Sequence, residues 1–106
     1  MIIGRVTGHV VSSQKEPAMA SAKLVVVEIH SGNGPEGTEL AATGRFLAVA
    51  DSLGVSVGDY VLVTQGSSAR LTASTREMPV DAVVIGIIDA VRLQDRVFTR
   101  AEGTLK

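Results

Sequence analysis

Short apolar segments, separated by stretches rich in Gly, Ser and Pro, run along the whole chain and predict strands. Residues 2–11 alternate bulky with small or polar side chains, residues 24–27 are apolar on both faces, and residues 82–88 form the most apolar run. No segment sustains a 3.6-residue apolar stripe over three helical turns. The predicted strands are residues 2–11, 23–30, 45–50, 60–64, 82–88 and 91–100, the last being either a strand or a hairpin. Five or six short strands with almost no helix indicate a small β-barrel or sandwich.

The segments between these strands are typical of turns and loops. Residues 12–17, 31–37 and 72–79 are predicted loops, and residues 66–70 (GSSAR) offer one helical turn with Ser67 or Ser68 as its N-cap. Gly4 and Gly8 interrupt the first strand. A glycine inside a strand pattern indicates strong bending or a close approach of two backbones, as at the corner of a barrel.

The composition supports a sheet and points to an assembly. Val, Ile and Thr make up thirty of the 106 residues, and β-branched side chains fit a pleated surface. A length of 106 residues predicts a single domain over residues 1–106. The mean hydropathy of +0.30 is high for so small a chain. This excess predicts apolar surface that other subunits cover.

Charge and residue content exclude several classes of function. The net charge is −1, and the three aromatic residues, Phe46, Tyr60 and Phe98, are scattered. Nucleic-acid binding, which needs clustered Lys and Arg and stacked aromatic side chains, is therefore not expected. The absence of Cys excludes disulfides and thiolate metal sites. The apolar runs are too short to cross a bilayer and the first residues show no signal-peptide pattern, so we expect a soluble cytoplasmic domain without a membrane partner.

One segment has the letters of a dinucleotide-binding motif without its physical requirements. Residues 32–37 (GNGPEG) follow a predicted strand, but Pro35 removes a backbone donor inside the loop. That motif also needs a helix that opens at the loop and points its N–H groups at a pyrophosphate. The following residues 38–44 offer only about two helical turns. We interpret the segment as a plain loop and expect no cofactor.

The sequence signals for catalytic and metal-binding residues are equally weak. His9 and His30 are twenty-one positions apart, and neither has a histidine three or four residues away. Residues 66–70 do not match the Gly-x-Ser-x-Gly pattern of hydrolases. The carboxylates Asp51, Asp59, Asp81 and Asp89 mostly lie at turn or strand-end positions. Asp supports turns by bonding its own backbone, and we expect this role for at least two of the four. We therefore predict neither a catalytic residue nor a metal site.

Six segments, taken in order, resemble one family. They are residues 3–11 (IGRVTGHVV), 12–17 (SSQKEP), 23–27 (KLVVV), 57–63 (VGDYVLV), 66–70 (GSSAR) and 79–89 (PVDAVVIGIID). Each is weak alone, but together they span nearly the whole chain and are similar to the pentameric vertex proteins of bacterial microcompartment shells, the CcmL/EutN/PduN/GrpN group. Residues 31–43 depart from the family by being longer and richer in Gly.

This resemblance implies a fold and a non-enzymatic role. The expected protomer is an all-β domain, a small closed five-stranded barrel of the oligonucleotide-binding (OB) type, with one short helical turn and a C-terminal strand or hairpin. Five protomers would form a homopentamer that plugs a corner of a microcompartment shell tiled by hexameric shell proteins. Flat hexagonal tiling closes only when pentagons are inserted. A ring of five also needs two different, complementary faces on each subunit.

Two loops and the C-terminal segment are the candidate contact regions. The interface or axial-pore candidates are Ser12, Ser13, Gln14, Lys15, Gly66, Ser67, Ser68 and Arg70. Arg70 is a candidate anchor for a carboxylate or carbonyl across the interface. Five copies of Lys15 near an axis would repel one another, so an outward position toward hexamers is the alternative. The C-terminal candidates for packing on a neighbour are Val91, Leu93, Val97 and Phe98.

Two other classes of function remain as alternatives at this stage. One is a small oligomeric barrel that binds a small ligand or single-stranded nucleic acid. The other is a hydrolase that uses Ser67 or Ser68 with a histidine. Salt-dependent oligonucleotide binding would favour the first, and turnover abolished in a serine variant would favour the second.

Overall fold

The computed structural model describes residues 1–11, 23–33, 39–66, 81–94 and 96–100, and these residues form seven strands. The strands are β1 (Ile2–Val10), β2 (Lys23–Asn33), β3 (Glu39–Asp51), β4 (Tyr60–Gln65), β5 (Ala82–Ile87), β6 (Ala90–Leu93) and β7 (Arg96–Thr99). The first five close into a barrel in the order β1-β2-β3-β5-β4, and β4 pairs back onto β1. Strands β6 and β7 form a separate antiparallel hairpin. The predicted five-stranded barrel and C-terminal hairpin are confirmed.

The barrel interior is filled almost entirely by valine. The buried side chains that pack together there are Val6, Val25, Val27, Val49, Val55, Val61, Val63, Ala82 and Val84. They come from all five barrel strands and from the turn after β3. A narrow barrel has room only for small side chains, and branched ones lose little rotamer freedom in a strand. The large share of Val in the sequence therefore matches the size of this core.

Strand irregularities bend the sheet into a closed barrel. The β1–β2 register shifts between Val6 and Gly8, and the β4–β5 register shifts between Leu62 and Val63. A bulge adds a residue to one strand and increases the local twist, which helps a small sheet to close. Gly4 lies at a close contact between β1 and β2, because an added Cβ would overlap Cγ1 of Val27. The predicted close approach is thus confirmed at Gly4, whereas Gly8 has open space where a Cβ would stand.

The predicted end of the second strand at residue 30 and the predicted start of the third strand at residue 45 are wrong, whereas residues 45–50 do lie within a strand. Strand β2 continues to Asn33, and β3 begins at Glu39, directly opposite it. Ser, Gly and Asn disfavour strands by themselves, but pairing with a long partner strand overrides such weak preferences. Residues 34–37 of the predicted loop lie outside the described residues.

A third irregularity lies where this long β2–β3 hairpin leaves the barrel. Glu28 pairs with Phe46 and His30 pairs with Ala42, so three residues of β3 oppose one of β2. The Thr43 hydroxyl donates to the Ile29 carbonyl (2.7 Å), and the N–H of Gly44, at φ +76°, donates to a Glu28 carboxylate oxygen (3.2 Å). Side chains of both strands therefore stabilise the bend.

Several predicted loops, and the residues that follow Gly66 in the predicted helical turn, lie outside the described residues. Gly66 ends the described segment with φ +68°, and its N–H donates to the Asp81 carbonyl (2.7 Å). In the part of the chain that the structure describes, no helix has the length and apolar character needed to span a membrane.

Candidate subunit interface

The barrel leaves large apolar side chains on its surface. Among the described residues these are Met1, Val10, Val11, Phe46, Leu53, Val57, Ile85, Ile87 and Val97. Phe46 is 56% exposed and Val97 is 42% exposed. Scattered exposed apolar residues are ordinary, but a valine core this small leaves most of the other apolar types at or near the surface. The surface is thus consistent with the predicted cover by other subunits.

The C-terminal hairpin presents different residues on its two faces. Val91 pairs with Phe98 on one face, and Arg92 pairs with Val97 on the other. Leu93 shares the face of Val91, because side chains two positions apart in a strand point the same way. Val91, Leu93 and Phe98 are half-buried, whereas Val97 and Arg92 are exposed. The four predicted contact residues therefore divide into a sheltered group of three and one exposed residue.

Ion pairs connect this hairpin to the rest of the subunit. The Arg100 guanidinium lies 3.2 Å from a carboxylate oxygen of Asp59, and Arg96 lies 3.5 Å from Glu39. The Arg100 N–H also donates to the Asp89 carbonyl (2.9 Å). The Arg96–Glu39 pair is exposed on both sides, and such pairs contribute only about 0–1 kcal/mol. In the other pair the Asp59 side chain is largely buried. Both pairs hold the hairpin beside the barrel.

A row of polar side chains crosses the outer face of β2, β1 and β4. Arg5 pairs directly with Glu28 on β2 and with Tyr60 on β4, so the three side chains share one face. The Arg5 Nε is buried and has no hydrogen-bond partner. The His30 ring packs edge-on against Tyr60, with centroids 5.2 Å apart. The sequence alone does not distinguish Arg5, since an arginine within a strand carries no signal until its neighbours on adjacent strands are known.

His30 and the turn carboxylates contact backbone groups of the fold. His30 is buried on β2 with its Nδ1 3.0 Å from the Glu28 carbonyl, and His9 is exposed on β1. Asp51 accepts backbone N–H bonds from Leu53 and Val55, and Asp59 accepts one from Ser56. The turn role predicted for at least two of the four carboxylates is confirmed at Asp51 and Asp59. No group of three potential metal ligands occurs among the described residues.

Most predicted loop contacts lie outside the described residues, and the structure does not test them. This applies to Ser12, Ser13, Gln14, Lys15, Ser67, Ser68 and Arg70. Gly66 is described, and it is exposed at the end of β4. The hairpin residues and Gly66 belong to different parts of the surface, because Gly66 bonds to Asp81 before β5 and the hairpin follows β5.

Comparison with known proteins gives consistent matches over nearly the full length. Residues 1–89 match the family model for ethanolamine utilisation protein EutN/carboxysome. The chain is 42% identical over 96 residues to the carboxysome shell vertex protein CcmL of Gloeobacter violaceus, covering 91% of this chain and 90% of that protein. It is 43% identical over 94 residues to the microcompartment shell vertex protein PduN of Salmonella typhimurium, covering 86% and 98%.

Solved structures match in fold as well as in sequence. The structure of Gloeobacter violaceus CcmL superposes with a TM-score of 0.82 at 39% identity, covering 95% of this chain and 99% of that one. The pentameric microcompartment shell protein GrpN from Rhodospirillum rubrum superposes with a TM-score of 0.70 at 35% identity, covering 87% and 96%. At these identities and coverages the likeness extends beyond the barrel fold to the whole domain.

Proposed function

This chain belongs to the EutN/carboxysome family, and from that membership we propose that it is a structural shell protein whose homopentamer caps the vertices of a bacterial microcompartment. The observation that carries the proposal is the match, over 91% of the chain, to a carboxysome shell vertex protein. The pentameric assembly of GrpN supports the number of subunits. The role is one of assembly and is non-catalytic.

The physical logic of a vertex explains why such a protein forms rings of five. Hexagonal tiles alone make a flat sheet, and a closed shell needs pentagons at its corners. Hexameric shell proteins are therefore the partners that we propose for the rim of the ring. A cyclic ring joins two different faces of each subunit, so every copy covers part of two neighbours. The exposed apolar residues supply apolar surface that the neighbouring subunits can cover.

We assign the ring contacts to the hairpin β6–β7 and to the predicted loops. The hairpin candidates are Val91, Leu93, Val97 and Phe98. The loop candidates for the interface or the axial opening are Ser12, Ser13, Gln14, Lys15, Gly66, Ser67, Ser68 and Arg70. Two observations support the hairpin as an interface. Val97 is exposed, and among the described residues no strand of the hairpin pairs with a strand of the barrel.

The number of subunits in solution tests the proposal directly. Native mass spectrometry of the purified chain is expected to show five copies of 11.0 kDa, or about 55 kDa. A stable, soluble monomer would contradict the proposal and favour a ligand-binding barrel. A hexamer would keep the family but remove the five-fold geometry that a vertex requires.

Removing the hairpin is expected to abolish the ring. In a chain that ends at Ala90, the barrel strands β1–β5 are all retained, while the apolar residues of β6 and β7 are lost. We expect monomers or aggregates in place of the pentamer, measured by native mass. The point variant Val97→Asp, which places a charge on the exposed face, is expected to act in the same direction, and the similarly shaped Val97→Thr to act less. A soluble pentamer from the truncated chain would count against the hairpin as an interface.

A further inference from the structure

One N–H of the Arg5 guanidinium, that of Nε, has no hydrogen-bond acceptor within the single subunit. The residue is partly buried, and its Nε is shielded from solvent without an acceptor. An unsatisfied buried donor on a charged group is costly, and native structures rarely leave one. The nearest carboxylate by strand pairing is Glu28, directly opposite Arg5 on β2. Glu28 instead accepts the Gly44 N–H at the bend of β3 and forms no ion pair with Arg5 within the described residues.

The described acidic residues leave two carboxylates available for such a donor. Asp51 and Asp59 bond to backbone N–H groups of their own turns, and Glu39 pairs with Arg96. Asp81 and Asp89 are both exposed, and no side-chain contact of either occurs among the described residues. They lie beyond opposite ends of β5 (Ala82–Ile87). Among the acidic residues that the structure describes, Asp81 and Asp89 are therefore the candidate acceptors for Arg5 from a second copy of the chain.

Asp89 lies at the same end of the barrel as Arg5. The residue before it, Ile88, donates its N–H to the Tyr60 carbonyl (2.8 Å), and Tyr60 is the β4 partner of Arg5. Asp89 also comes directly before the hairpin, which the proposed function places at the ring contact. Asp81 lies at the other end, next to Gly66.

We propose that Arg5 binds the Asp89 carboxylate of the adjacent subunit when the ring closes, turning its guanidinium so that the Nε–H gains an acceptor. This proposal rests on the proposed function, because it needs a cyclic assembly. An arginine fork binds a carboxylate through two parallel N–H bonds, which fixes orientation as well as adding affinity. Cyclic symmetry repeats such a contact once at each interface, between Arg5 of one copy and Asp89 of the next. The contact therefore runs in one sense around the ring, from Arg5 of one subunit to Asp89 of the next.

A double-mutant cycle tests the contact with neutral, similarly shaped variants. Arg5→Gln and Asp89→Asn are each expected to raise the concentration at which half of the rings dissociate by about tenfold, as for other close charge pairs across interfaces. The double variant is expected to match the single variants, because the second change removes nothing further. Asp81→Asn is the matched control and is expected to leave this concentration unchanged. Dissociation is followed by native mass spectrometry on a dilution series.

Other outcomes separate failure of this contact from failure of the proposed function. A wild-type chain that is not pentameric contradicts the proposed function before any variant is made. If the wild type is a pentamer and the effects of the two single variants on ring dissociation multiply in the double variant, the Arg5–Asp89 contact is contradicted. Coupling of Arg5 to Asp81 in place of Asp89 would also contradict it. If Arg5→Gln lowers the thermal stability of dissociated subunits and leaves ring dissociation unchanged, its acceptor lies within the chain and the proposal is wrong.

Discussion

Replacing Gly4 with alanine is expected to destabilise the folded subunit by about 3 kcal/mol, the upper part of the range for overpacked cores. The added Cβ would overlap Cγ1 of Val27 and lie 3.0 Å from the Glu28 carbonyl oxygen. Val27 is fully buried, so it has no free space to move into. The β1 and β2 backbones are also held by strand pairing on both sides of this point. Urea unfolding, monitored by circular dichroism at a fixed subunit concentration, measures the loss.

Gly8 provides the matched control on the same strand. A Cβ at Gly8 has open space around it, so Gly8→Ala is expected to leave stability unchanged or slightly raised. The double variant Gly4→Ala/Val27→Ala removes the overlapping methyl group. Its loss is expected to be smaller than the sum of the two single losses. A Gly4→Ala protein with the wild-type unfolding midpoint would show that this contact does not limit the barrel.

Replacing Asp51 with alanine is expected to cost about 3 kcal/mol in unfolding free energy. The Asp51 side chain is fully buried, and its two oxygens accept the N–H groups of Leu53 (2.8 Å) and Val55 (2.9 Å). Removing the carboxylate leaves these donors without acceptors, and Val55 is itself a fully buried core residue. Lys23 also loses its partner at 3.6 Å, but it is half-exposed and still donates to the Val55 carbonyl. The unfolding midpoint in urea gives the size of the effect.

Two further variants define the cause of this loss. Asp51→Asn keeps one acceptor oxygen and is expected to lose about half as much, since one of the two N–H bonds survives. Asp81→Ala removes an exposed carboxylate and is expected to stay within about 0.5 kcal/mol of the wild type. Equal stability of the Asp51→Ala and Asp81→Ala proteins would contradict the role of Asp51 in closing this turn.

Much of the fold was predictable because barrel strands have a strong local signal. Alternation in residues 2–11 and the apolar run of residues 82–88 gave β1 and β5 with only small errors at their ends. The prediction failed at residues 31–33 and 39–44, where Ser, Gly, Asn and Ala carry little preference for strands. Those residues become strand by pairing with each other across a hairpin, and single-sequence patterns do not contain that pairing.

The candidate interface was predictable only in part, for a related reason. Apolar residues near the C-terminus indicated a strand or a hairpin, but the pairing of Val91 with Phe98 and the exposure of Val97 are features of the folded hairpin. Arg5 becomes a candidate contact residue only through its two cross-strand neighbours and its buried Nε. None of these features is visible in the order of residues along one strand.

By itself, the sequence determined the all-β class, the positions of most strands, the turn role of at least two aspartates, and the family. These features depend on local alternation, on single residue types and on ordered motifs. Tertiary structure decided the register of each strand pair, the three bulges and the long β2–β3 hairpin. It also left the Arg5 Nε without a hydrogen-bond acceptor. Register sets which side chains face the core and which face outward, and a shift of one residue would reverse them all. That choice is made by pairing between distant segments, which no local pattern can encode.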